Sequence, residues 1–169
     1  DSVGRVAAKM AVWQVMGDLV ATPIRAVKEA LSTMKAVDDQ LVDVRKVTDF
    51  TEGQMKSLEK QAYSTASAYG VAADQYLESV AAFARAGYQE QSEALAELST
   101  KTQIVGDTNA KTANQFLLAV DAAYQYKGSV EKLGAVLDGV NEIDNKYATS
   151  IENIAEGLGK VAPISAQAH

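Results

Sequence analysis

The clearest pattern along the chain is a heptad repeat of apolar residues in its first quarter. With Val3 in the first heptad position, ten of twelve successive core positions are apolar. These positions are Val3, Val6, Met10, Trp13, Gly17, Val20, Ile24, Val27, Leu31, Met34, Asp38 and Leu41. Three or four such heptads already favour a coiled coil. The pattern therefore predicts one long helix from Val3 to about Val47, roughly 70 Å long at ~1.5 Å per residue.

Three residues weaken this helix, and two interpretations of it stay open. Pro23 removes a backbone donor and should kink the helix near Leu19–Thr22, while Gly17 and Asp38 occupy core positions of the repeat. The helix could pack on its own domain or associate with the same helix in other copies. Because the heptads continue across Pro23, we favour association between copies. The residues that would form this self-association seam are Met10, Trp13, Val20, Ile24, Val27, Leu31, Met34 and Leu41.

After Val47 the pattern changes to short helical segments separated by caps and glycines. The segment Thr51-Glu-Gly-Gln54 has the spacing of a capping box, and Gly70 is suited to a left-handed helix end. We predict helices from the Thr51 cap to Gly70, over about 72–86, over about 90–105, from Asp107 or Thr108 to Gly128, from the Ser129 cap through Ile143, and from Thr149 or Ser150 to Pro163. Their predicted inward residues are Met55, Leu58, Ala62, Ala66; Leu77, Val80, Ala81, Ala84; Ala94, Leu95, Leu98, Thr102; Ala113, Phe116, Leu117, Val120, Tyr124; Leu133, Val136, Leu137, Val140, Ile143; and Ile151, Ile154, Leu158, Val161.

These patterns together predict an all-α chain in two parts. Residues 1–48 form the long heptad-bearing helix, and residues 49–169 form an alanine-rich bundle of about six short antiparallel helices. Of the net charge of −6, residues 1–48 contribute +1 and residues 49–169 contribute −7. Neither part carries the basic stripe that phosphate neutralisation requires, so we predict no specific nucleic-acid partner.

The side chains that support catalysis or bind metals are scarce. The chain has no cysteine, and its single histidine is the last residue, His169, so a thiolate site or a Ser/His/Asp triad is excluded. Carboxylates at Asp38-Asp39 and at Glu90 with Glu93 have the spacing of solvated helix faces rather than of a paired acid and base. Asp138, Asn141, Asp144 and Asn145 do not match a calcium loop. We therefore predict a protein that is not an enzyme and has no cofactor and no metal site.

Two further observations concern the N-terminal region. The stretch Met10 to Ile24 is apolar but contains Gln14, Asp18 and Pro23, and it falls short of the ~20 apolar residues that span a bilayer. A transmembrane helix is therefore not expected, whereas contact with a membrane surface stays open. The chain begins at Asp1 without methionine or the residue order of a signal peptide, so we expect it to be a segment of a longer protein.

From Val37 onwards the sequence resembles the core region of the tail tape measure proteins of long-tailed bacteriophages and prophages. The resemblance lies in the order and spacing of several short pieces. They are Val37-Asp-Asp-Gln-Leu41, residues 44–48, Thr51-Glu-Gly-Gln54, the Leu58–Ala68 run LEKQAYSTASA, Tyr69-Gly-Val-Ala-Ala-Asp74, Phe83-Ala-Arg-Ala-Gly87, the Leu133–Asn141 run LGAVLDGVN, and Ala148-Thr-Ser-Ile-Glu-Asn-Ile-Ala-Glu-Gly-Leu158. Residues 1–36 resemble the variable helical lead-in of that family less specifically.

The resemblance implies a structural protein of the virion that lies inside the phage tail and is assembled in the host cytoplasm. Several copies, roughly three or six in keeping with a symmetric tube, would occupy the tail tube and contact the tail tube protein and the distal tail or baseplate proteins. Their length would set tail length, and they would leave ahead of the DNA during ejection, with host-membrane contact afterwards left open. The alternative is a secreted helical bundle that binds a partner or inserts into a membrane and has no part in tail assembly.

Overall fold

In the computed structural model, the residues described are 30–147 and Asn153, with side chains described for 30–142 and Asn153. These residues are helical with short connections and contain no strand, which confirms the all-α prediction. The helices are α1 over residues 30–47 of the described chain, α2 Glu52–Tyr69, α3 Ala73–Arg85, α4 Ser92–Val105, α5 Ala110–Tyr124 and α6 Val130–Tyr147. The predicted helix over residues 3–29 and most of the predicted helix after Thr149 lie outside the described residues.

The chain divides into two compact units, Asp1–Asp38 and Asp39–His169. The second unit contains the end of α1 and helices α2 to α6. The division at residues 48 and 49 that we drew from sequence stays a prediction.

Helix α2 begins and ends where local sequence signals place it. The Thr51 hydroxyl accepts a hydrogen bond from the Gln54 backbone N–H at 3.3 Å, and the Gln54 side chain accepts one from the Thr51 N–H at 2.9 Å, so the predicted capping box is present. Gly70 ends the helix with φ +71°. Its N–H donates to the Ala66 carbonyl at 2.9 Å. A residue with a Cβ is disfavoured at this backbone angle, which accounts for the glycine.

The inward face of α2 differs from the prediction at one position. Met55, Leu58 and Ala62 are buried as predicted, but Thr65 is buried where we expected Ala66, which is only half-buried. At ~100° per residue, Thr65 and Ala66 lie at similar angles on either side of the direction shared by Met55, Leu58 and Ala62, so the spacing alone does not decide between them.

Helix α3 buries eight of its thirteen residues. All four predicted inward residues are buried, and so are the aromatic side chains of Tyr76 and Phe83. The Tyr76 ring is buried while its hydroxyl donates to the Glu93 carbonyl at 3.4 Å, which links α3 to α4. Burial raises the Tyr76 pKa, and the nearby carboxylates of Glu93 and Glu97 add to the rise.

Helix α4 packs against α2, α3, α5 and α6 and begins two residues later than predicted. The connection before it turns at Gln89, whose carbonyl accepts from the Ser92 hydroxyl at 2.8 Å, so the regular helix starts at Ser92 rather than Glu90. Leu95, Leu98 and Thr102 are buried as predicted. Ala94 is exposed, and its inward assignment was wrong. It lies seven residues before the exposed Lys101, on the side of α4 that faces solvent.

Helix α5 is shorter at both ends than the sequence suggested. Its N-cap is Asn109, whose side-chain oxygen accepts from the Thr112 N–H at 2.9 Å, rather than Asp107 or Thr108. It ends at Tyr124, where Gln125 adopts a left-handed conformation with φ +53°, instead of continuing to Gly128. The early end places Tyr124 at the surface, 57% exposed, so its predicted inward position was wrong.

Helix α6 completes the described part of the bundle. The Ser129 hydroxyl accepts from the Lys132 N–H at 3.5 Å, in agreement with the predicted cap. Leu133, Leu137 and Val140 are buried and Val136 is partly buried. The side chain of Ile143 lies outside the described set.

One apolar core joins α3, α4, α5 and α6. Its buried members are Phe83, Leu95, Leu98, Phe116, Leu117, Val120, Leu133, Leu137 and Val140. Full burial of one such side chain is worth about 1.5–3 kcal/mol. This shared core shows that the helices of the second unit form a bundle rather than a row of independent helices.

Candidate association surface and polar centre

The predicted self-association seam falls only partly on described residues. Met10, Trp13, Val20, Ile24 and Val27 lie outside them. Leu31 and Met34 lie on α1 and are 61% and 58% exposed. Val37, by contrast, is 1% exposed. At ~100° per residue, Leu31 and Val37 project about 120° apart around the helix, so the buried side of α1 is not the side that carries Leu31.

The third described seam residue, Leu41, is half-buried and belongs to the second unit. It lines an open groove of about 440 Å³ between the end of α1 and the first turns of α2. The other lining residues are Arg45, Glu52, Gly53, Met55, Lys56 and Glu59. The groove thus has an apolar floor and a rim with two basic and two acidic side chains.

Two of the residues that line this groove form an ion pair. The Arg45 guanidinium donates to both carboxylate oxygens of Glu52, one of them at 2.9 Å. These hydrogen bonds lower the pKa of Glu52 and raise that of Arg45. Asp43, on the same helix, pairs with Lys46 at 2.8 Å and lies 3.9 Å from Arg85 of α3. Exposed pairs of this kind contribute little to stability, and of the three only Arg45–Glu52 joins α1 to α2.

The bundle also contains a polar centre that we did not find from sequence. It consists of the buried carboxylate of Asp121 on α5 and the two groups that bind it, the Tyr88 hydroxyl and the Gly128 N–H. Asp121 is 4% exposed. The Tyr88 hydroxyl donates to one carboxylate oxygen, and the Gly128 N–H donates to the other at 2.7 Å. The hydrogen bond to Asp121, followed by burial, raises the pKa of Tyr88 to about 12. The carboxylate therefore ties the α3–α4 connection to the α5–α6 connection.

Tyr88 and Gly128 fit each other closely in this polar centre. Gly128 has φ +73°, and a Cβ there would lie 2.7 Å from Cδ1 of Tyr88. The sequence signal for the centre is an acidic residue directly after Val120 in the apolar row of α5. That signal is weak, because an acidic residue at the edge of an apolar row is more often solvated than buried.

Beside the polar centre, two tyrosines stack at the surface. The rings of Tyr124 and Tyr126 are 5.4 Å apart and inclined by 14°. The ammonium of Lys132 lies 5.5 Å from the centroid of the Tyr126 ring, within range of a cation–π contact. This pair lies at the end of α5, with Tyr124 as its last residue and Tyr126 two residues beyond.

Within the described residues, no group of three or more histidine, cysteine, aspartate or glutamate side chains is placed to hold a metal ion. Asp38, Asp39, Glu90 and Glu93 are all exposed. No described helix is long and apolar enough to cross a membrane, and the stretch Met10 to Ile24 lies outside the residues searched.

Comparison with known proteins places the chain in a family. Residues 59–169, about two thirds of the chain, match the family described as phage-related minor tail protein. Neither the curated proteins nor the solved structures include a match. The match agrees with the phage-tail part of the resemblance seen in the sequence and disfavours a bundle with no part in tail assembly. The chain therefore belongs to the phage-related minor tail proteins and has a structural role in a phage tail.

Proposed function

We propose that this chain is a segment of a tail tape measure protein, which occupies the tail tube during assembly and sets its length. The observation that carries the proposal is the family match over residues 59–169, together with the ordered tape-measure motifs that begin at Val37. Several copies would lie side by side in the tube, in contact with the tail tube protein and with distal tail or baseplate proteins. They would leave the tube ahead of the DNA.

The physics of a ruler supports the proposal. A helix extends by ~1.5 Å per residue, so its length follows directly from residue number. A heptad seam lets several helices share one narrow tube, because each buries its apolar side against the others. The exposed Leu31 and Met34 on α1 leave the described end of that seam free to take part in such packing. The net charge of −7 on residues 49–169 would also limit attraction to the DNA that follows.

Residues 49–169 would act as a folded module at a fixed position rather than as a measuring segment. The shared core of α3 to α6 supports this. The longest described helices of the bundle, α2 and α6, have 18 residues each, or about 27 Å, whereas residues 49–147 as one helix would span about 150 Å. Duplicating residues 49–147 in the phage should therefore lengthen tails by no more than about 30 Å in electron micrographs. An increase near 150 Å would mean that the module is extended in the tail.

The interior position can be tested with purified virions. Intact tails should protect this chain from added protease, and virions triggered to eject their DNA should have lost it, as measured by mass spectrometry. The tail tube protein serves as the internal control, since it stays in both samples. Cleavage of the chain in intact tails, or its full retention after ejection, would contradict the proposal.

A further inference from the structure

The connection between α5 and α6, residues 125–129, differs from the end of α2 in the way it stops a helix. Helix α2 ends at a glycine, which adopts left-handed angles without steric cost. Helix α5 ends at Gln125 with φ +53°, and Lys127 follows with φ +56°. Glutamine and lysine are good helix formers, and a left-handed conformation is unfavourable for both. The local preference of these residues is therefore to continue the helix, and the turn opposes it.

The polar centre is what holds the turn against this preference. Beyond the Gly128 and Tyr88 bonds to the Asp121 carboxylate, the Tyr126 N–H donates to the Asp121 backbone carbonyl at 3.3 Å. Both donors to the carboxylate come from outside α5, and bonds to an ionised acceptor are stronger than neutral ones. The turn thus depends on one side chain that reaches two connections of the bundle.

The sequence across the turn carries a second, independent signal. A heptad repeat of apolar residues runs from α5 through the connection into α6 without a break in phase. Its eight consecutive core positions are Phe116, Ala119, Ala123, Tyr126, Val130, Leu133, Leu137 and Val140. If the chain turns at residues 125–129, the apolar positions of α5 and α6 do not have to follow one continuous heptad repeat. In one continuous helix, the repeat would place all eight side chains along one seam.

We propose that the α5–α6 connection is a two-state element. In one state the Asp121 carboxylate holds the turn; in the other, Tyr88 and Gly128 leave that carboxylate and residues 110–147 form a single helix. The seam of this helix packs against the same helix in other copies of the chain, which replaces the core contacts that α6 and Phe116 of α5 give up. The single helix spans about 57 Å, compared with about 27 Å for α6 alone. The inference rests on the chain itself and does not require the tape measure role.

The distance between α5 and α6 tests the proposal directly. The chain has no cysteine, so Lys111→Cys and Asp138→Cys, both at exposed positions, give a clean pair for spin labels. Asp138 lies 27 residues after Lys111, so a continuous helix would separate the labels by about 40 Å. In the bundle the labels are closer than this, because the chain turns at residues 125–129 and both helices contribute to one core.

Two variants release the turn through different atoms. Asp121→Ala removes the acceptor, and Gly128→Ala places a Cβ against the Tyr88 ring while the acceptor stays. In each variant, the main label-to-label distance measured by pulsed electron paramagnetic resonance should move to about 40 Å. The helical circular dichroism signal should be unchanged. The fraction of molecules with the long distance should increase with protein concentration. Glu131→Ala, which also removes one carboxylate near the turn, is the matched control and should keep the short distance.

Three results with these variants would overturn the proposal. The first is a short distance in both release variants, and the second is a broad distribution with loss of helical signal, which would make Asp121 a stabiliser of one fold only. The third is a long distance that does not depend on concentration, which would remove the contact between copies. A further pair, Gln125→Gly with Lys127→Gly, relieves the left-handed strain and weakens the continuous helix. Added to Asp121→Ala, it should restore the short distance, and failure to do so would also count against the two-state element.

Discussion

If the heptad seam of α1 joins copies of the chain, placing charge on its exposed apolar residues should separate them. Leu31 and Met34 are 61% and 58% exposed, so more than half of each side chain is available to a partner. Covering that surface is worth about 1–2 kcal/mol per residue, since full burial of a leucine or methionine is worth about 1.5–3 kcal/mol. For three copies this amounts to at least about 6 kcal/mol, or roughly a 10⁴-fold change in the association constant.

The substitutions Leu31→Asp and Met34→Asp should therefore convert an oligomer into a monomer in sedimentation equilibrium at micromolar concentration. Tyr63→Asp with Ile104→Asp is the matched control. Tyr63 and Ile104 are 41% and 50% exposed and lie outside the seam. Their substitution by aspartate introduces the same charge as the seam substitutions. The control should keep the mass of the parent chain. An unchanged mass in the seam variant, or a parent chain that is monomeric throughout, would refute the coiled-coil reasoning.

Three further predictions concern the bundle. Thr51→Ala removes the capping box of α2 and should lower the free energy of unfolding by about 1 kcal/mol in urea titrations; no change would mean that the cap is redundant. Phe116→Ala leaves a cavity in the shared core and should cost about 3–5 kcal/mol in the same assay, and a loss below 1 kcal/mol would contradict the core assignment. The Tyr88 pKa is raised to about 12 from an unfolded value near 10, so its contribution to stability is complete below pH ~10 and is lost as the pH rises toward 12. As the pH rises from ~10 to ~12, the free energy of unfolding should therefore fall less for the Tyr88→Phe variant than for the parent chain. An equal fall in both proteins would show that the Tyr88–Asp121 hydrogen bond is absent in solution.

Local signals predicted most of the helices. The capping box at Thr51 and the glycine at position 70 set both ends of α2, because the backbone groups they satisfy lie within four residues of them. Helix α3 was predicted equally well, since its apolar residues repeat at helical spacing. The exposed Ala94 shows the limit of this reasoning, because alanine carries too little apolar surface to define a face.

The polar centre could not be predicted from the sequence, because Tyr88 is far from Asp121 and Gly128 along the chain. The end of α5 at Tyr124 is set by Asp121, Tyr88 and Gly128, of which Tyr88 lies 33 residues from Asp121. Local preference favours a longer helix there, and the tertiary hydrogen bonds override it. The apolar heptads that run through residues 125–129 indicate that the sequence also favours a continuous helix. Only the structure shows that the chain turns at this point.

Tail length tests the central claim of a measuring role most directly. In the phage that encodes this chain, in-frame deletions in helical parts of the gene outside residues 37–169 should shorten the tail by ~1.5 Å for each residue removed, or about 150 Å for 100 residues. Electron micrographs of a series of deletions give the slope. A straight line near that value is the result that the proposal predicts, and tails of unchanged length across the series would contradict it.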